Sequence, residues 1–115
     1  KENGIIEIPI TVGRFGPFQV PIAGGIYFRA LPLIVLKYMI KRRRNIDNPL
    51  IGYFHPYDID TEQKKFMQGG INNNKLYNWL MYYNRDSVLT KLNLVIESGY
   101  KVQTYSEYLK SSHII

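Results

Sequence analysis

Leu50–Asp60 reads LIGYFHPYDID, and the rest of the chain is organised around it. Leu50, Ile51, Tyr53 and Phe54 form a short apolar, aromatic-rich run, entered through Asn48-Pro49 and left through a polar segment. That is how a buried parallel strand looks. His55 then stands at the strand's carboxyl end, where loops of parallel α/β sheets carry polar groups for chemistry without disturbing the core. Pro56 supports the placement, because it has no N–H to give to a ladder and holds its φ near one value. A half-buried structural histidine at a strand end is the competing reading.

Working outward toward the amino end, Ile5–Thr11 (IIEIPIT) is rich in β-branched residues and predicts a first strand, with Pro9 marking an edge or a bulge. Residues 12–25 hold four glycines and two prolines, Gly13, Gly16, Pro17, Pro21, Gly24 and Gly25, and read as a long irregular loop anchored by Phe15, Phe18 and Val20. After Gly24-Gly25 comes Ile26–Arg29, and Pro32 suits the first position of a helix. From Leu33 to Ile40 that helix is apolar almost all round and is expected to be buried, with Lys41–Arg44 emerging into water. Asn45–Pro49 is a turn leading to the central strand. Strand, crossover helix and strand in this order form a βαβ unit with parallel strands.

Toward the carboxyl end, residues 61–74 are polar and rich in Gly and Asn, which predicts a mobile loop. Lys75–Tyr83 carries Leu76, Tyr77, Trp79, Leu80, Tyr82 and Tyr83, a cluster suited to plugging a core or stacking on sugar rings. Val88, Leu89, Leu92, Val95 and Ile96 recur at helical spacing, Asp86 or Ser87 caps that helix, and Gly99 closes it. Tyr100–Tyr105 reads as a last strand, with Ser106 capping a short terminal helix through Lys110. His113 lies in the tail and carries no role.

At 115 residues the chain holds at most one domain, and it opens at Lys1 directly on a strand-like segment, as a piece of something longer would. It has no cysteine, so disulfides, thiolate nucleophiles and zinc–thiolate sites are excluded. No apolar run reaches membrane length. The net charge of +6 is concentrated in Lys41-Arg42-Arg43-Arg44, with Lys37 one turn earlier. Such a run is either a solvated helix end complementing the helix dipole or a patch that meets phosphates or anionic headgroups.

Phosphate-binding loops, dinucleotide fingerprints, zincin motifs and complete nucleophilic triads are all missing. What remains is a constellation: His55 at a strand end, Asp58 and Asp60 just after it, and Tyr27 and Arg29 beyond a Gly-Gly turn. A histidine there can act as a general acid, tuned by a neighbouring carboxylate. Asp60 reads as an ordinary loop residue. With one well-placed histidine the chain has no metal site of its own.

The order IIEIPIT, AGGIYFRALP, LIGYFHPYDID and SGYKVQTYSEYL resembles the C-terminal part of a NodB-type polysaccharide deacetylase. It is similar in particular to the exopolysaccharide-cluster branch with a G-G-x-Y-F-R turn and an H-P-[WY]-[ED] motif, here Gly24–Arg29 and His55–Asp58. The resemblance implies an α/β fold, the C-terminal portion of a (β/α) barrel with about three mainly parallel strands and two main helices, residues 1–115 forming a single partial domain. It implies hydrolysis of N-acetyl groups on a polysaccharide or oligosaccharide, with His55 as the general acid and Tyr27, Arg29, Tyr57 and Asp58 at the substrate. The family's Asp-Asp motif, His-x-x-x-His pair and arginine motif have no counterpart here, so the divalent metal, such as zinc, belongs to the complete enzyme. The partners so implied are the glycan and either the upstream half of the barrel or a second copy, with no nucleic acid and no transmembrane segment, in the cytoplasm or cell envelope of a bacterium. The alternative is a non-catalytic module that binds glycan or another anion through Trp79, the tyrosines and the basic run.

Overall fold

The computed structural model describes residues 4–43 and 49–114. Two strands come first, β1 (Val12–Phe15) and β2 (Phe18–Pro21), followed by the helices α1 (Gly25–Ala30), α2 (Leu33–Arg43), α3 (Pro56–Ile59) and α4 (Lys75–Tyr82). A 3-10 turn at Arg85–Ser87 leads into α5 (Val88–Glu97), and α6 (Tyr105–Ser111) ends the chain. The domain is therefore mixed α and β, but its sheet differs from the expected one. β1 and β2 are antiparallel, with Phe15 opposite Phe18 and Val12 opposite Pro21, and no barrel architecture emerges among the described residues.

The hairpin occupies the stretch read as an irregular loop. Gly16-Pro17 is a two-residue connection, and Gly16 has φ 57° at its first central position, as a type II′ turn requires. Here the breakers shape a tight turn between two strands.

Among the described residues the three expected parallel strands do not form. Residues 6–11 carry no strand ladder; Thr11 instead becomes a buried link, its carbonyl accepting from Ile22 N–H at 3.1 Å and its Oγ1 from Ile51 N–H at 2.7 Å. Around the central stretch, parallel pairing shrinks to one bridge, Gly24 to Tyr53, with Tyr53 N–H donating to Ala23 O at 3.0 Å. The ladder cannot extend, because Gly25 turns the chain into α1 on one side and Pro56 opens α3 on the other. Close approach at the bridge needs glycine: a Cβ on Gly24 would run into the Tyr53 carbonyl oxygen. Residues 100–104 are likewise irregular and lead into α6, whose cap is Thr104 and not Ser106. The turn expected at Asn45–Pro49 lies, Pro49 apart, outside the described residues.

The core is a seam between two helices, floored by α1. Phe28 of α1, Leu36 and Ile40 of α2, and Val88 and Val95 of α5 are buried together, with Leu50, Phe54, Ile59, Leu92 and Tyr100 packed around them. Phe54 meets Phe28 edge-on, ring centres 5.2 Å apart. α2 is therefore buried on one face only, along Leu36, Met39 and Ile40, while Leu33, Ile34 and Tyr38 face outward. α5 covers it, and the aromatics of α4 do not: Tyr82 alone among them is buried, and Leu76, Tyr77, Trp79 and Tyr83 are exposed. Residues 61–74 have no helix or strand but are fastened to the domain. Arg85 donates to the Thr61 and Gln63 carbonyls at 2.7 and 2.9 Å, the Tyr82 hydroxyl bonds Phe66 and Gln68, and Gln68 N–H reaches Asn78.

Candidate functional site

His55 stands where the bridged segment ends and α3 begins. Pro56 takes the first turn of α3, where its missing N–H costs nothing. Asp58, three residues after His55, folds back on it: its Oδ2 accepts the His55 backbone N–H at 2.8 Å and lies 3.3 Å from His55 Nδ1. Asp58 thus supplies the acidic half of a helix cap to the backbone of His55, while its own N–H bonds the His55 carbonyl at 2.9 Å. It holds backbone and imidazole with a single carboxylate oxygen.

The other carboxylate oxygen faces Arg29. Arg29 Nε is 3.0 Å from Asp58 Oδ1, with the two side chains 1% and 0% exposed. Arg29 is fixed in turn by the end of α4, donating from Nη1 to the Tyr83 and Leu80 carbonyls at 2.8 and 3.2 Å. Burial pulls its guanidinium below the ordinary arginine range, and the charge of Asp58 works the other way. The cation stays paired inside the protein, where an unpaired charge would be costly.

Around this chain of contacts lies a cavity of about 190 Å³, lined by Gly25, Ile26, Tyr27, Arg29, Tyr53, His55, Tyr57, Asp58 and Met81. The His55 side chain is 56% exposed and its ring stacks on Tyr57, centres 5.1 Å apart and planes 4° from parallel. Burial, followed by the charge of Asp58, raises the Tyr57 phenol above the ordinary tyrosine range, so it keeps its proton at neutral pH. Tyr27 is exposed at the rim. The five residues singled out from the sequence, Tyr27, Arg29, His55, Tyr57 and Asp58, thus share one cavity, although Arg29 and Asp58 form its buried backing. Asp60 stands apart in a turn, accepting from Glu62 N–H at 2.9 Å.

Sequence reasoning missed the residues that hold α1 in place. Lys91 Nζ, buried, donates to the Phe28, Arg29 and Leu31 carbonyls at 2.9, 2.7 and 2.9 Å, satisfying the acceptors at the end of α1. Burial lowers its pKa. Asn84 Nδ2 adds a bond to the Arg29 carbonyl at 2.8 Å. The signal was available: Lys91 falls between Val88 and Val95 on the apolar side of α5, where a cation needs buried acceptors. Met81, the pocket residue from α4, carried no such mark.

Among the described residues no group of three or more His, Asp and Glu side chains could hold a metal ion. His55 and Asp58 do not make a partial one, since both Asp58 oxygens are already engaged by Arg29 and by the His55 backbone. Among the same residues no helix is long and apolar enough to cross a membrane.

Fold and site together define a small mixed α and β domain with a half-exposed histidine backed by a buried carboxylate–guanidinium pair. The chain belongs to the family described as Domain of unknown function (DUF3473), which matches it over residues 1–110. Neither the comparison with curated proteins nor that with solved structures found a match.

Proposed function

We propose that this chain is the C-terminal segment of a polysaccharide deacetylase and contributes the general acid that protonates the departing amine when an N-acetyl group is hydrolysed. The observation that carries the reading is His55 Nδ1 at 3.3 Å from Asp58 Oδ2, at the mouth of a cavity. With its Nδ1 proton donated to the carboxylate, the imidazole keeps Nε2 free for a substrate atom. A proton on Nε2 then passes to the amine nitrogen as its bond to the carbonyl carbon breaks, which leaves a neutral amine. Asp58 keeps the ring in orientation, Arg29 keeps Asp58 in place, and Tyr57 supports the ring face. The motifs Gly24–Arg29 and His55–Asp58 supply the link to deacetylases, and they are the segments that meet at this cavity.

The residues present do not fit a divalent metal, so no step of the reaction is assigned to one within this chain. A zinc-type ion and the residue that activates water would come from the rest of a complete enzyme. The direct test is acetate release from an N-acetylated oligosaccharide by a complete protein containing this segment and by the segment alone. Release by the complete protein, stopped by a chelator, with none from the segment, is expected. Chelator-sensitive release by the segment alone, or none by the complete protein, contradicts the proposal.

A glycan-binding module without catalysis is the second reading, favoured by one feature. Trp79 and Tyr83 form an exposed aromatic pair, ring centres 4.6 Å apart, of the kind that stacks on sugar faces. Retained glycan binding with no hydrolysis in the complete protein would select it.

A further inference from the structure

A second cavity, open and of about 430 Å³, lies at the start of α4, lined by Gly70, Ile71, Asn72, Asn74 and Tyr77. The side chain of Tyr77 is 58% exposed there. Asn74 is held in place by the helix it caps: its Oδ1 accepts from the Leu76 and Tyr77 N–H groups at 3.0 and 3.2 Å, and its own N–H donates to the Ile71 carbonyl at 3.0 Å. Those bonds use the oxygen of the side-chain amide and leave its two Nδ2 protons for an outside acceptor. Asn72 is exposed and adds a second amide.

This cavity is one helical turn from the His55 site. Met81 lines the His55 cavity, and Tyr77 precedes it by four residues. The two side chains are therefore neighbours on one strip of α4, about 6 Å apart along its axis. Trp79 falls on the opposite side of the helix and takes no part. We infer that the groove over Tyr77 is a further subsite of the His55 cavity, holding a neutral sugar unit of the glycan one or two residues along the chain from the unit being deacetylated. The assignment rests on the deacetylase reading, which supplies the glycan.

The lining selects the ligand. None of the five residues carries a charge, in a chain whose net charge is +6. A phosphate or carboxylate would find no cation among them. An exposed phenol ring beside two primary amides suits a pyranose, because the ring face covers its C–H side while the amides bond its hydroxyls. A cavity of this size falls within the range of small-ligand sites.

Acetate release from N-acetylglucosamine oligomers of two and six units, by a complete protein containing this segment, tests the subsite. A lower KM is expected for the hexamer than for the dimer. Tyr77→Ala should remove most of that advantage, raising KM for the hexamer about tenfold with kcat kept. Asn72→Gly removes one amide and suits the local φ of 51°, and it should act in the same direction by a smaller factor. Both side chains are exposed, so an unchanged circular dichroism spectrum is expected of each variant. Calorimetric titration with the same oligomers reads the groove independently of the chemistry. Tighter binding of the hexamer, weakened by Tyr77→Ala, in a protein that releases no acetate would refute the reaction and keep the subsite. Equal KM and affinity for both lengths, a length dependence that Tyr77→Ala leaves intact, or an equal loss at both lengths would each overturn it.

Discussion

Arg29 of α1 and Asp58 of α3 meet side chain to side chain inside the domain, Nε to Oδ1 at 3.0 Å. The contact is a charge pair more than an aligned hydrogen bond, since neither atom has a partner in good hydrogen-bonding geometry. Removing one partner strands the other in a medium that solvates it poorly. Arg29→Met is therefore expected to cost about 3–5 kcal/mol of stability, as breaking a buried pair does. Urea unfolding measures it; a loss under 1 kcal/mol would mean that water reaches Asp58.

Lys91 holds three carbonyls at the end of α1, and α1 carries Arg29. Lys91→Met fills the space but leaves those acceptors without their charged donor. A loss of roughly 2–4 kcal/mol is expected. If α1 is held chiefly by Phe28 in the core, the same unfolding experiment will show almost no change.

Gly24→Ala places a methyl group against the Tyr53 carbonyl. The bridge must open, and His55 loses the segment that leads to it. We expect about 1–3 kcal/mol of destabilisation, together with faster hydrogen exchange at the Tyr53 amide, which now donates to Ala23 O. Exchange at wild-type rate would show that the bridge does not fix this segment.

Glu107 gives the fold an acid-sensitive end. Its carboxylate accepts the Thr104 backbone N–H at 2.7 Å and the Thr104 hydroxyl at 2.9 Å, and these bonds to the charged form hold its pKa below the ordinary glutamate range. Between the folded and unfolded values the unfolded chain binds more protons, so stability falls as pH falls. The contribution of this cap is complete above about 4.3, the unfolded value, and is lost as pH drops through the folded one. NMR titration of the Thr104 amide should follow that loss, and Glu107→Gln should flatten it. A Thr104 amide that titrates alike in both proteins would rule the cap out.

How much of this was legible in the sequence differs by element, for physical reasons. α5 follows from its own spacing, and Gly99 with φ 95° closes it as expected. The parallel strands do not follow, because a strand needs a neighbour: residues 6–11 and 100–104 have strand-like composition but join no ladder among the described residues. The hairpin and α3 were readable but misassigned. Phe15-Gly16-Pro17-Phe18 is two runs separated by two turn residues, and His55-Pro56-Tyr57-Asp58 carries a proline at the first helical turn with an acid two residues later. Thr104-x-x-Glu107 is likewise a capping box hidden inside an apparent strand. The candidate site was more legible than the fold, since Gly24–Arg29 and His55–Asp58 stood out as motifs, and those motifs meet at one cavity beside the Gly24–Tyr53 bridge. Burial of Arg29 and Asp58 was not readable, because it depends on the carbonyls of Leu80 and Tyr83 at the distant end of α4.

The most direct measurement of the proposed role is steady-state deacetylation by a complete protein containing this segment, wild type against His55→Ala. With His55 in the general-acid role we propose, kcat should fall about a hundredfold or more while KM stays nearly unchanged, because such a group acts on the transition state. An unaltered kcat with a raised KM would contradict this, and would make His55 a residue that binds the glycan.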